Sequence, residues 1–152
     1  MYFYNLIKEI SLNNKVILFI DMDGVIASYD FGHPLDFVNK RPLFTNIKKL
    51  EKLCDLKNVE LHILSVCRED KQIDEKLNWL KKYVPFIKHE NVHILSKHSN
   101  MDNSSSKMKL AFLKEYKTNN KIALIDDDIR VLRLIADNNS DILLFQDSAL
   151  ID

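Results

Sequence analysis

Two groups of aspartates stand where they could do chemistry, each directly after a short apolar run. Asp21 and Asp23 form the first group, and Asp126, Asp127 and Asp128 form the second. Side chains two residues apart in an extended segment point the same way, so Asp21 and Asp23 could address one substrate together. Such a pair suits phosphate ester hydrolysis, because one carboxylate can attack phosphorus while the other moves protons to the departing oxygen and from water.

Carboxylates gathered at one point need a counter-charge. Like charges at close range raise one another's pKa, and a divalent cation removes that penalty. The donors are oxygen atoms and neither His nor Cys lies nearby, which favours a hard ion such as Mg²⁺ over zinc. An EF-hand calcium loop is excluded, since its fifth and twelfth positions would be Val25 and Gly32.

Strands and helices alternate along the chain and must position these residues. Short apolar runs are typical of strands buried on both faces, and we expect such strands at 16–20, 59–64, 92–95, 122–125 and 142–145. Apolar residues at helical spacing predict helices over 3–10, 47–56, 73–84, 106–116 and 131–135. The inward stripes expected for the third and fourth helices are Ile73, Leu77, Leu80 and Val84, and Met108, Phe112 and Tyr116.

This alternation predicts an α/β fold, namely a doubly wound, Rossmann-like three-layer sandwich around a mainly parallel five-stranded sheet with right-handed crossovers. Ligands of such sheets bind beyond the carboxyl ends of the strands. Both aspartate groups lie at strand ends, and Ser65 ends the second strand. We therefore expect these residues to meet in one site.

Length and composition restrict the remaining possibilities. The 152 residues fit one domain of ordinary globular composition, spanning 1–152. Lys+Arg and Asp+Glu number 22 each, so the charge balance disfavours nucleic acid as a partner without excluding it. Cys54 and Cys67 are too few for a disulfide framework or a zinc site. The sequence shows neither a signal peptide nor a membrane span, which predicts a cytoplasmic protein without a membrane partner.

Four short motifs occur in an order that is typical of one enzyme family. They are Ile20-Asp21-Met22-Asp23-Gly24-Val25, Ile63-Leu64-Ser65, a Lys at the start of a later helix, and Leu124-Ile125-Asp126-Asp127. Over residues 20–145 the chain thus resembles the haloacid dehalogenase superfamily. The resemblance implies a Mg²⁺-dependent phosphatase that hydrolyses phosphomonoesters through an aspartyl-phosphate intermediate.

The resemblance also implies a role for each aspartate. Asp21 would be the nucleophile and a metal ligand, and Asp23 the acid and base that also offers its backbone carbonyl to Mg²⁺. Asp127 would bind the metal directly, and Asp126 directly or through water. Asp128 lies just before a helix, where capping is the favoured interpretation.

Phosphate binding would fall to residues of the second and third motifs. By the resemblance, Ser65, Val66 and the motif lysine would bind phosphate, and the lysine would also neutralise Asp21. Lys107 and Lys109 both remain candidates for that catalytic lysine. Lys109 is favoured slightly, because the family pattern has apolar residues three and four positions later, here Phe112 and Leu113.

The spacing of the motifs leaves no room for a large cap domain over the site. A short flap at about 25–42 is expected instead, carrying Tyr29, Phe31, Phe37 and Arg41. These side chains either line the pocket or pack the flap down, and packing is the favoured interpretation.

The expected substrate is a phosphorylated small molecule. Residues 64–68 and 75–85 are similar to the 5′(3′)-deoxyribonucleotidase group, which implies nucleoside monophosphates. Trp79 within this stretch is expected to pack in the core, because it lies on a helix with Leu77 and Leu80.

Other functions stay open. An uncapped site also admits a larger phosphorylated partner, such as a polynucleotide end or a phosphoprotein, and a non-catalytic binding module is a further alternative. A response-regulator receiver domain fits poorly, because its acidic pair comes early and its phosphorylated Asp ends a middle strand.

Overall fold

The computed structural model describes residues 2–29, 37–99, 104–138 and 141–151. The described part contains five α-helices, which are α1 Tyr2–Ser11, α2 Phe44–Glu51, α3 Lys71–Tyr83, α4 Ser105–Glu115 and α5 Ile129–Asn138. It contains five strands, which are β1 Val16–Ile20, β2 Val59–Cys67, β3 Val92–Ser96, β4 Lys121–Asp126 and β5 Leu143–Gln146. Short 3₁₀ turns cover Lys52–Asp55, His89–Asn91, Lys97–Ser99 and Asp147–Leu150.

The strands form one sheet in the order β3-β2-β1-β4-β5, and every neighbouring pair is parallel. The first strand therefore lies in the middle, with β2 and β4 on either side. In register, Ile20 pairs with Ile63 of β2 and with Ile125 of β4. The carboxyl ends of these three strands consequently reach the same edge of the sheet, where a doubly wound fold binds its ligands.

Alternation along β1 sorts its side chains between two cores. Val16, Leu18 and Ile20 face a cluster that contains residues of α1, α2 and α3, while Ile17 and Phe19 face a cluster with residues of α4 and α5. All five residues of the strand are buried. Helices thus cover both faces of the sheet, and the predicted three-layer α/β sandwich is confirmed.

Several predicted boundaries differ from the structure. The second strand continues to Cys67, so Ser65 lies within β2 and does not end it. The helix expected over 47–56 is divided into α2 and the 3₁₀ turn Lys52–Asp55. Both differences arise at element ends, where sequence patterns carry the least information.

The inward faces of α3 and α4 were predicted wrongly in part. The buried residues of α3 are Gln72, Lys76, Trp79 and Leu80, and those of α4 are Lys109 and Leu113. Ile73, Leu77 and Met108 are only half-buried, whereas Phe112 and Tyr116 pack on the buried Phe19 as predicted. Polar residues such as Lys76 and Lys109 also occupy inward positions, and a search for apolar residues alone does not find them.

The ends of the flap (residues 25–42) are joined by backbone hydrogen bonds. Ser28 N donates to Arg41 O over 2.8 Å, and Leu43 N donates to Ile26 O over 2.7 Å. Phe37 is buried and its ring contacts Trp79 edge-on, with the ring centroids 5.6 Å apart. Packing is thus confirmed for Phe37, while Tyr29 is 54% exposed. Phe31 lies outside the described residues.

Two smaller expectations concern the cysteines and the membrane. Cys54 and Cys67 are both free thiols. Within the described ranges, no helix combines the length and the apolar character that a membrane crossing requires.

Candidate active site

Neighbouring strand ends bring the two aspartate groups together. Asp21 follows β1 and donates its backbone N–H to Ile125 O of β4 over 3.0 Å, so it lies beside Asp126. Asp126 is fully buried and Asp21 is 7% exposed. The parallel pairing of β1 with β4 is the reason that residues more than a hundred positions apart meet at this edge.

Lys109 joins these two carboxylates. Its Nζ donates to Asp21 Oδ1 over 2.7 Å and to Asp126 Oδ2 over 2.6 Å. Burial by itself would lower the pKa of Lys109, but the charges of Asp21 and Asp126 outweigh burial and hold this pKa above its ordinary value. The lysine thus remains an ammonium ion within the cluster.

Lys107, the other candidate lysine, lies outside this cluster. It is exposed, and its backbone N–H donates to Ser104 Oγ at the N-cap of α4. Two residues correspond to a rotation of about 200° around a helix, so Lys107 and Lys109 point to nearly opposite sides. The structure therefore places Lys109, and not Lys107, among the carboxylates.

Three carboxylates form a group that could hold a metal ion. Oxygens of Asp21, Asp126 and Asp127 all lie within 4.8 Å of one another. Burial, together with the charge of Asp126, raises the pKa of Asp21 to about 7 although Lys109 acts in the opposite direction. Burial and Asp126 likewise raise the pKa of Asp127 to about 6. An oxygen-only set with mutually repelling charges fits a hard divalent cation such as Mg²⁺.

Gly24 gives Asp127 its place in this group. The glycine has a φ of 80°, and a Cβ atom there would approach Asp127 Oδ2 to 2.1 Å. A side chain at position 24 would therefore be strained and would displace the carboxylate. Gly24 of the first motif thus leaves the space that Asp127 of the last motif occupies.

Asp23 belongs to a separate ion-pair cluster. Its Oδ1 accepts a hydrogen bond from Lys40 Nζ of the flap, and its Oδ2 accepts one from Lys76 Nζ of α3 over 3.3 Å. The side chains of the two lysines are only 3% and 2% exposed. Neither lysine is predicted as a site residue from the sequence. Lys76 could have been found from its spacing to Gln72, Trp79 and Leu80, which completes a helical face, whereas Lys40 carries no comparable signal.

Ser65 is linked to this second cluster. Lys76 Nζ donates to Ser65 Oγ over 2.7 Å and to Val66 O over 3.0 Å. Ser65 is 1% exposed, while Val66 borders the adjacent cavity. The contact joins two predicted site residues, Ser65 and Asp23, through one ammonium group.

Two further expectations agree with the geometry. Trp79 is buried in the core, and its Nε1–H donates to Lys40 O over 2.9 Å. Asp128 caps α5, because its Oδ1 accepts from the backbone N–H of Arg130 over 2.9 Å while its carboxylate pairs with the Arg130 guanidinium. Capping of this kind satisfies a backbone donor of the first turn.

A cavity of about 770 Å³ opens above these groups. Among the described residues that line it are five aspartates and six cationic side chains, namely Asp21, Asp23, Asp126, Asp127 and Asp128, with Lys40, Arg68, Lys76, Lys97, Lys109 and Arg130. Within this described set the cations exceed the carboxylates by one, and a bound divalent cation would add to that positive charge. Such a lining suits a polyanionic ligand.

Comparisons with known proteins identify the fold. No family model matches the sequence, and neither does any curated protein. A chain in the "Structure of Pnkp1/Rnl/Hen1 complex" is similar, with 18% identity, a TM-score of 0.66 and coverage of 88% of this chain and 46% of that one. A chain in the "Structure of the Pnkp1/Rnl/Hen1 RNA repair complex" has 17% identity, a TM-score of 0.68 and coverage of 88% and 42%. The present chain thus spans less than half the length of either neighbour.

Proposed function

We propose that this protein is a Mg²⁺-dependent phosphomonoester hydrolase of the haloacid dehalogenase type that acts on the terminal phosphate of a polynucleotide. The observation that carries the proposal is the meeting of Asp21, Lys109 and Asp126 at the carboxyl edge of the sheet, with Asp127 within reach of the same point. A nucleophile, a fixed positive charge and a metal-binding carboxylate set are the parts that phosphoryl transfer requires.

The fit of Mg²⁺ rests on the carboxylate oxygens of Asp21, Asp126 and Asp127 and on the raised pKa of Asp21 and of Asp127. These three residues would hold the ion, with the backbone carbonyl of Asp23 as an expected fourth ligand. When bound, the ion would neutralise charge on the carboxylates and on the phosphoryl oxygens.

In the first step, a carboxylate oxygen of Asp21 attacks phosphorus and the bond from phosphorus to the leaving oxygen breaks. Asp23 gives a proton to that oxygen, which departs as an alcohol. The result is an aspartyl-phosphate on Asp21. Lys109 holds Asp21 in place through a 2.7 Å hydrogen bond and offsets negative charge on the transferring group.

In the second step, Asp23 takes a proton from a water molecule whose oxygen attacks the aspartyl-phosphate. The bond between phosphorus and Asp21 breaks, so inorganic phosphate leaves and the Asp21 carboxylate is restored. Asp23 thereby regains the proton that it gave to the leaving oxygen in the first step. Lys40 and Lys76 keep its carboxylate in one orientation throughout.

Two observations favour a polynucleotide end over a free nucleoside monophosphate. The cavity carries cations beyond the reaction centre, namely exposed Arg68 and half-buried Lys97, which can contact further phosphates of a chain. In addition, the fold is similar to chains of an RNA repair complex. The similarity to deoxyribonucleotidases rests on residues 64–68 and 75–85, and Trp79 of this stretch is buried in the core, where it cannot stack on a base.

The test compares phosphate release by the wild type and the Asp21→Asn variant. Substrates are oligonucleotides with a terminal 3′- or 5′-phosphate, nucleoside monophosphates and p-nitrophenyl phosphate, each with Mg²⁺ or with EDTA. We expect Mg²⁺-dependent release that is fastest on the oligonucleotides and undetectable in Asp21→Asn. Lys107→Met serves as the control, because Lys107 is exposed and lies outside the site.

Each part of the proposal can fail separately. Activity that survives in Asp21→Asn refutes the nucleophile assignment. Mononucleotides that react as fast as oligonucleotides refute the substrate class. A wild type that binds phosphorylated oligonucleotides without hydrolysing any substrate identifies a binding module.

A further inference from the structure

Two buried ammonium groups share one carboxylate beside the reaction centre. Lys40 and Lys76 approach Asp23 from different elements, the flap and α3, and the Phe37 ring lies 5.2 Å and 5.0 Å from their Nζ atoms. Buried charges are costly unless they are paired. Among the described residues, the two lysines and the one aspartate leave a positive charge in excess, which favours the arrival of an anion.

The two lysines differ in how their N–H groups are used. Lys76 Nζ donates to Asp23 Oδ2, Ser65 Oγ and Val66 O, which accounts for all three hydrogens of an ammonium group. Within the described part of the chain, Lys40 Nζ donates to Asp23 Oδ1 alone. Lys40 therefore keeps two donors for a ligand, and its side chain borders the cavity.

Lys40 also lies on the path of the leaving group. In the proposed reaction Asp23 faces the departing oxygen, so groups next to Asp23 lie next to the leaving group. The Nζ atom of Lys40 is 5.6 Å from the centre of the Tyr29 ring, which is half-exposed at the cavity. The ammonium group thus lies near both the proton donor and an aromatic side chain of the cavity lining.

We propose that Lys40 forms a subsite for a second phosphate, carried by the leaving group of the substrate. This inference rests on the proposed function and narrows its substrate to phosphomonoesters with another phosphate close to the scissile one. The terminal nucleotide of a chain has such a neighbour in its internucleotide phosphate, and a nucleoside bisphosphate is the smallest equivalent. A nucleoside monophosphate lacks it.

The kinetic experiment compares adenosine 3′,5′-bisphosphate with 3′-AMP and 5′-AMP in the presence of Mg²⁺. We expect kcat/KM of the wild type to be about 10- to 100-fold higher for the bisphosphate than for either monophosphate, the range of a hydrogen bond to a charged group. In Lys40→Met this ratio should fall close to one, whereas Lys40→Arg should retain most of it. Lys82→Met, which removes the same charge from an exposed position on α3, should leave the ratio unchanged.

The ratio is informative because Lys40→Met also disturbs Asp23 and lowers the rate on every substrate. If Lys40→Met does not fold, Lys40→Gln removes the charge while keeping a hydrogen-bond donor. Equal kcat/KM for the bisphosphate and the monophosphates in the wild type overturns the inference, as does a ratio that survives loss of the charge.

Binding provides a readout that does not need turnover. Calorimetric titration of adenosine 3′,5′-bisphosphate into Asp21→Asn should give an affinity at least about tenfold above that of Asp21→Asn/Lys40→Met. If the wild type hydrolyses no phosphomonoester, the proposed function fails while this comparison still decides the inference. Equal affinity in the two variants refutes the second-phosphate subsite.

Discussion

Lys109 shows at the scale of single residues how a buried charge can be essential and costly. Its ammonium group bonds Asp21 and Asp126, and all three side chains are almost completely removed from water. Replacing one member of a buried ion-pair group leaves the others without a counter-charge. This destabilises a protein more than replacing the whole group by apolar residues would. The arrangement holds two carboxylates close together before any metal binds.

Substitution of the two candidate lysines tests whether stability depends on where the positive charge lies, because both variants remove the same charge. Lys109→Met should lower the free energy of unfolding by about 3–5 kcal/mol in EDTA, because it leaves Asp21 and Asp126 facing each other without the ammonium group. Lys107→Met should change it by less than about 0.5 kcal/mol, as is usual for an exposed residue. Urea denaturation near neutral pH measures both, and similar effects for the two variants would contradict the assignment.

At the scale of elements, the loop between β1 and the flap positions a carboxylate that belongs to the loop after β4. Gly24 turns the chain with a positive φ and leaves the space that the Asp127 carboxylate occupies at the end of β4. Two loops from neighbouring strands are therefore fitted to each other. The geometry of the carboxylate group depends on a residue that has no side chain.

Gly24→Ala should weaken Mg²⁺ binding by about tenfold or more, since the new Cβ would lie 2.1 Å from Asp127 Oδ2 and push this oxygen away. The strained backbone should also lower the free energy of unfolding by about 1–2 kcal/mol. Calorimetric titration with Mg²⁺ and urea denaturation measure the two effects. In an Asp127→Ala background the further loss of affinity should disappear while the stability loss remains. A wild-type affinity for Mg²⁺ in Gly24→Ala would refute the inference that the space at Gly24 positions Asp127.

The elements also show what the sequence could and could not predict. The strands were found because continuous apolar runs such as Val16–Ile20 need burial on both faces. Parallel pairing then brings Asp21 and Asp126 together without further information. Lys40 and Lys76 escaped detection because an isolated lysine normally indicates a solvated surface. The spacing of Lys76 to Trp79 and Leu80 marks its face of α3, but the contacts that pair both lysines with Asp23 and pack them on Phe37 join distant segments, which periodicity does not contain.

At the scale of the whole molecule, the carboxylate group links stability to pH. The pKa of Asp21 is raised to about 7 and that of Asp127 to about 6, from 3.8 in both cases. At a pH between 3.8 and these raised pKa values, the folded protein retains protons that the unfolded chain has released. Stability of the metal-free protein should therefore fall as the pH rises through this window.

Stabilisation by Mg²⁺ should be small near pH 5 and large near pH 8, because the ion competes with the protons on Asp21 and Asp127. Thermal unfolding with EDTA and with saturating Mg²⁺ at the two pH values measures the difference in Tm. The Asp21→Asn/Asp127→Asn variant should lose this dependence. A Tm increase that is equal at both pH values would exclude these two carboxylates as the coupled groups.

Trp79 gives the molecule an optical reporter of its own. It is the single tryptophan of the chain, it is buried, and its indole N–H is hydrogen-bonded to the backbone carbonyl of Lys40 in the flap. The emission spectrum of unlabelled protein therefore originates beside the residue assigned to the second phosphate. Any displacement of the Lys40 peptide changes the polarity around the indole, so fluorescence can follow the flap in real time without an attached dye.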